Sequence, residues 1–264
     1  MTKVISAVAL TLLVIVLAVY FLSRGGDSSQ TPKGPRSDHL HLVIDPTVFD
    51  SSGRHNFERY LKQLEGALTN LPLKVHVTVW SISGSGDESA FVLDETLEID
   101  RQAQIDTTRS RKLQSMCAEI KDIFLTRWDS LHSEPTNVER SSCIINLLRT
   151  LSKLSPESSS TNEYVLVLSD FVESCNGWPS INLDVSGGLR SAMKLPDDVA
   201  MIDLSRLRRV YFVKVPDRWT KTPRDDKALE DFWLRVIDAM KISRDRFYYG
   251  YIIPERIIDH GSVH

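Results

Sequence analysis

His39-Leu40-His41-Leu42-Val43-Ile44-Asp45-Pro46-Thr47 and Tyr164-Val165-Leu166-Val167-Leu168-Ser169-Asp170 are two apolar runs that each end in an acidic, hydroxyl-bearing turn. Unbroken apolar runs of this length belong to parallel strands covered on both faces. Carboxylates and hydroxyls at the ends of such strands gather in the crevice at the carboxyl edge of an open α/β sheet, where these folds bind ligands and ions. The two stretches therefore predict an architecture and a place for a site within it.

Working outward, the spacing of Phe57, Tyr60, Leu61, Leu64 and Leu68 predicts one helix face from about Arg54 to Asn70, ended by Leu71-Pro72. Val75, Val77 and Val79 alternate with polar or aromatic neighbours at strand period, and Phe91 to Ile99 reads as the second strand of a hairpin. Leu113, Met116, Ile120, Ile123, Phe124 and Trp128 mark a long amphipathic helix over Thr107 to Leu131, and Val138 to Leu154 carries another. Beyond Asp170 the pattern weakens, with turns at Asn176-Gly177-Trp178-Pro179 and Gly187-Gly188 and a short helix around Gly188 to Met193. It returns as a strand over Arg209 to Val215, a helix over Lys227 to Met240 and a last strand over Phe247 to Ile253. Strands alternating with helices in this way predict a doubly wound, mainly parallel sheet of Rossmann-like form with helices on both faces.

The amino-terminal part has a different character. Val4 to Ser23 carries no charge, and a helix of that length spans roughly 30 Å of hydrocarbon. The apolar core is longer than that of a cleavable signal, and Tyr20-Phe21-Leu22 crowds the exit where a small-x-small cleavage site would stand. Residues 1–23 are thus expected to be a single-pass transmembrane anchor and 24–38, rich in Gly, Pro and Ser, a flexible tether. Lys3 ahead of the apolar run favours a signal anchor that exports the rest of the chain, whereas Arg24, Lys33 and Arg36 favour the opposite orientation. The exported side is the expectation. Residues 39–264 are read as one domain, about 225 residues being ample for a single α/β core.

With 32 basic and 35 acidic residues, the chain lacks the footprint of a protein that relies on phosphate contacts, so nucleic acid is not an expected partner. Cys117, Cys143 and Cys175 are too few for a disulfide framework and too scattered for a paired zinc site. Cys117 and Cys143 fall in helical patterns where cysteine is a small buried apolar residue. A Cys143–Cys175 bridge stays open, because both would lie near one sheet edge. Trp128 and Trp233 fall on apolar helix stripes and read as core, while Trp178 and Trp219 lie in loops and are candidates for contact with a partner. His39-x-His41 could in principle be a metal pair, but the chain lacks the repeating units of a barrel that uses one, and satisfied or exposed histidines are the expectation. No Gly-x-Ser-x-Gly elbow, phosphate-binding Gly-x-x-x-x-Gly-Lys loop or dinucleotide Gly-x-Gly-x-x-Gly turn occurs after a strand.

From Leu40 to about Ile253 the chain resembles a von Willebrand factor A (integrin I-like) domain. Asp45-Pro46-Thr47-Val48-Phe49 matches the first two ligand positions of that family's Asp-x-Ser/Thr-x-Ser loop, and Phe49 departs from the third. Ser142-Cys143-Ile144-Ile145-Asn146-Leu147-Leu148 is similar to the segment that supplies a hydroxyl at a helix start, with Thr136 as a weaker candidate. Val165-Leu166-Val167-Leu168-Ser169-Asp170-Phe171 is similar to the strand before the third loop, with Phe171 in place of the usual glycine.

The resemblance implies a protein-interaction module and a degenerate metal-ion-dependent adhesion site formed by Asp45, Thr47, Ser142 and Asp170. There a hard Mg²⁺ would be held by oxygens and bridged to an acidic side chain of a partner protein. No catalytic residue is implied. The alternative is a metal-dependent hydrolase or nuclease using Asp45, Asp50, Asp170 and Glu173 at the same edge.

Overall fold

The computed structural model describes residues 38–48, 53–70, 74–82, 90–98, 105–133, 143–154, 161–172, 183–184, 188–189, 195, 197–216 and 222–258. They lie within one compact unit, Ser37–His264. The expected anchor and nearly all of the expected tether fall outside the described residues, among which no helix is long and apolar enough to cross a membrane.

Six strands form the main sheet: β1 (Asp38–Ile44), β2 (Lys74–Ser81), β3 (Ala90–Glu98), β4 (Asn162–Ser169), β5 (Arg209–Lys214) and β6 (Phe247–Gly250). Their order is β3-β2-β1-β4-β5-β6. β2, β1, β4, β5 and β6 run parallel, and only β3 is antiparallel, pairing with β2 across an irregularity between Val79 and Trp80. The chain leaves β1 toward β2 on one side and enters β4 on the other. The winding direction therefore reverses between β1 and β4, which makes the carboxyl ends of these two strands the topological switch point.

The alternation of side chains along a strand decides what each face buries. Leu40, Leu42 and Ile44 of β1 join Leu166 and Leu168 of β4 on one face, covered by α1 (Gly53–Thr69) and α2 (Ile105–Ser133) through Phe57, Leu64, Met116 and Ile120. Val43, Val165, Val167 and Phe212 lie on the other, covered by α3 (Ile144–Lys153) and α4 (Pro223–Ala239) through Leu148, Leu151, Trp233 and Val236. Both layers expected from the sequence are present. β1 is buried along its whole length and β6 only half-buried, as suits a central and an edge strand.

Four local expectations are corrected. Asp38, expected in the tether, opens β1. Gly188–Leu189 is not helical but pairs with Leu183–Asp184 in a separate two-stranded sheet, in keeping with the poor helix propensity of glycine. α4 starts at Pro223, ahead of the expected Lys227, because Thr222 caps it. The Thr222 hydroxyl accepts from Asp225 N–H, the Asp225 carboxylate accepts from Thr222 N–H, and Pro223 sits where its missing donor costs nothing. β6 stops short of Ile253 at Gly250, a position whose added Cβ would run into the Tyr248 phenol. The expected helix over Val138 to Leu154 is described only from its cap, Cys143, onward.

Candidate functional site at the sheet's carboxyl rim

Ile44 and Leu168 are paired in the β1–β4 register, so Asp45 and Ser169 lie side by side at the rim. Asp45 N–H extends the ladder by donating to the Leu168 carbonyl at 3.0 Å. The Asp45 carboxylate is fully buried. Its Oδ1 accepts from the Thr47 hydroxyl at 2.6 Å and the Thr47 amide at 3.1 Å, and its Oδ2 accepts from the Ser169 hydroxyl at 2.8 Å. Ser169 Oγ in turn accepts from Phe171 N–H at 3.1 Å, and Asp170 Oδ1 accepts from Val172 N–H at 2.9 Å. One carboxylate thus ties two strand ends through two hydroxyls. Buried carboxylates are tolerable only with such a set of donors.

Of the four residues expected to hold a metal, Asp45 and Thr47 are bonded to each other on this rim, and Asp170 directly follows Ser169, which bonds Asp45. Ser142 lies outside the described residues, as do Thr136, Asp50 and Glu173. The hydroxyl bonded to Asp45 from the far strand is that of Ser169, which is set by the strand register and was not placed among the ligands from sequence. The donor set is oxygen throughout, and hydroxyls that give their protons to Asp45 keep lone pairs for a hard cation, so these residues fit Mg²⁺. A counterweight stands one strand away. Lys214, paired with Ser169 in the β4–β5 register, is fully buried and bonded to Asp226 at 2.6 Å. Paired with Asp226, its charge opposes a cation on the rim only weakly.

Phe171 shapes the same rim. It has φ 62°, in the left-handed region that glycine adopts freely. Its ring stacks on Phe212 at 4.4 Å and meets Trp233 edge-on at 5.9 Å, and its carbonyl accepts from Trp233 Nε1 at 2.9 Å. The departure from the family's glycine is thus held by aromatic packing. Beyond β6, Tyr251 and Ile252 are exposed at 42% and 63%, and the Tyr251 ring lies 5.6 Å from Lys214 Nζ.

Cys143, at the start of α3, is disulfide-bonded, whereas Cys117 is a free, buried thiol. Cys175 lies outside the described residues. Burial, with Glu65 adding to it, pushes the Cys117 thiol up to about 11.

A second polar cluster occupies the opposite end of β1. His39 and His41 share one strand face and are both buried, with ring centroids 4.1 Å apart. His39 Nε2 bonds Thr78 Oγ1 at 2.7 Å, and Trp80 Nε1 donates to His41 Nδ1 at 3.3 Å. Glu163, across the β1–β4 ladder from His39, is buried, with Oε1 4.0 Å from His41 Nε2. Burial, reinforced by His41, His76 and Arg206, lowers the His39 imidazole to about 3. One usable ligand atom from each of His39, His41 and Glu163 lies within 4.8 Å of the others. The expectation of satisfied or exposed histidines holds for His39, and for His41 it holds at Nδ1 but not at Nε2, which has no hydrogen-bond partner. The alternation His-Leu-His was the only local signal. The groups that bury it come from β2, β4 and the turn before β5.

Sheet order, helices on both faces and an oxygen-rich rim at the switch point agree with the architecture that the sequence resemblance implies. The fold is α/β and von Willebrand factor A-like. No family model matches the chain, and no curated protein matches it in sequence. Similar solved structures include an aerotolerance-related membrane protein from Bacteroides fragilis, 7% identical, covering 82% of this chain and 92% of that one with TM-score 0.37. The SpRpn10 VWA domain is 10% identical over 81% of this chain and 86% of its own, with TM-score 0.34. The manganese-loaded TRAP protein of Plasmodium vivax is 12% identical over 82% and 69%, with TM-score 0.36.

Proposed function

We propose that this chain is a membrane-anchored protein-interaction module that engages its partner at the carboxyl rim of the sheet, with an acidic side chain of the partner bridged through a weakly held Mg²⁺. The observation that carries the proposal is the meeting of Asp45, Thr47 and Ser169 in one hydrogen-bonded group at the switch point. Thr47, Ser169 and Asp170, with Ser142 as a further hydroxyl, would hold the ion, and Asp45 would orient the two hydroxyls it bonds. The ion would supply a Lewis-acidic position for a carboxylate. Exposed Tyr251 and Ile252 offer apolar contact at the carboxyl end of the same sheet. Residues 1–23 are assigned as the anchor, and the disulfide at Cys143 supports an exported, oxidising location for the domain.

Calorimetric titration of the full-length chain with Mg²⁺ or Mn²⁺ tests the metal-assisted form. The wild type is expected to bind and Asp45→Asn to bind at least tenfold more weakly. Identical flat traces reject it. Phosphodiesterase or phosphatase activity that disappears in Asp170→Ala would instead support the hydrolase alternative.

A further inference from the structure

Three buried polar atoms near one another at the amino end of β1 are left without hydrogen-bond partners: His41 Nε2, Glu163 Oε2 and Arg206 Nε. Arg206 Nη1 lies 3.1 Å from Glu163 Oε2, near enough for an ion pair but not aligned for a hydrogen bond. Unpartnered buried groups are scarce in folded proteins and commonly mark an ion or a water. This cluster is not part of the rim described above. His39 and Asp45 stand at opposite ends of one strand, about 20 Å apart at the usual rise per residue.

From this geometry we infer a second metal site, for a borderline transition ion of the Zn²⁺ class, with His39, His41 and Glu163 as ligands. Two imidazoles and a carboxylate are the donors that such an ion prefers over Mg²⁺. Three protein ligands leave a fourth tetrahedral position for water. Ligand atoms within 4.8 Å of one another require side-chain shifts of about 1 Å to reach the ~3.3 Å spacing set by metal–ligand bonds near 2.1 Å.

The surroundings divide into support and opposition. Thr78 at His39 Nε2 can accept its proton and leave Nδ1 for the metal, and Arg206 holds the outer oxygen of Glu163, both being supports of the kind that orient metal ligands. Trp80 opposes. By donating to His41 Nδ1 it places the histidine's single proton on Nε2, so metal binding must move that proton to Nδ1 and displace the indole from a long, weak bond of 3.3 Å. Partly exposed His76, stacked on His39 at 4.3 Å, marks the route of entry.

The test is Co²⁺ and Zn²⁺ titration of the chelator-stripped full-length chain. Co²⁺ is expected to give the visible absorption of a tetrahedral imidazole-containing site at one ion per chain, displaced by Zn²⁺. Affinity should fall at least tenfold in Glu163→Gln and in His41→Gln, stay unchanged in Asp45→Asn, and rise about fivefold in Trp80→Phe, which removes the competing donor. X-ray absorption of the Zn²⁺-loaded wild type, which needs no variant to fold, should count two imidazoles. Absence of Co²⁺ absorption, a shell with fewer than two imidazoles, loss of binding in Asp45→Asn, or no gain in Trp80→Phe overturns the site. Failure here leaves the rim proposal untouched, since Mg²⁺ binding there is read by the Asp45 variant alone.

Discussion

Phe171 holds a backbone conformation that costs a non-glycine residue about 1–2 kcal/mol, and its buried ring accounts for why the chain tolerates this. Truncating such a ring costs about 3–5 kcal/mol. Both Phe171→Ala and Phe171→Gly should therefore destabilise the domain, but in an inverted order: glycine, freed of strain, is expected to be about 1 kcal/mol more stable than alanine in urea denaturation. Alanine above glycine would mean that the strain is not there. Cys117 supplies a pH test. Its folded thiol ionises near 11 against an ordinary 9.0, so the folded state retains a proton that the unfolded state releases between these values. That contribution is complete below pH 9 and is lost as pH rises through 11, about 2 kcal/mol by then. Alkylation of the native thiol should climb with an inflection near pH 11, and rapid modification at pH 8 would contradict the burial. At this level the sequence showed the rim acids and the missing glycine. It could not show that Ser169 bonds Asp45, because that depends on the register of strands more than a hundred residues apart.

α4 was legible from the stripe Leu229, Phe232, Trp233, Val236 and Ile237, all buried. Its start was in the sequence too, as Thr222-Pro223-Arg224-Asp225, a capping box that periodicity alone passes over. Thr222→Ala should cost about 1 kcal/mol and Thr222→Ser almost nothing, read by thermal unfolding; equal stability of all three chains would show that the cap does not hold the helix start. The carboxyl end of α4 closes with Lys241 at φ 63°, its amide and that of Ile242 donating to Asp238 and Ile237 carbonyls. This is a Schellman stop built without glycine, which is why no glycine announced it. β1 was visible as an apolar run, yet the fate of His39 and His41 was not, since their partners Thr78, Trp80 and Glu163 come from strands that only tertiary pairing brings alongside.

The unit Ser37–His264 is a three-layer sandwich whose central strand carries polar groups at both ends: oxygens at the carboxyl rim and histidines with a glutamate at the other. The alternation of strands and helices carried the architecture, because each element's period shows which face it must bury. The interaction role rests on the carboxyl rim being the docking face. Site-specific photocrosslinking in intact membranes tests this most directly, with the photoreactive group placed at Ile252 beside that rim or at exposed Arg208 just before β5, toward the opposite end of the sheet. A partner adduct is expected from Ile252 and not from Arg208, and it should disappear when Asp45→Asn is added; adducts from Arg208 alone, equal adducts from both positions, or none from Ile252 would contradict docking at the carboxyl rim.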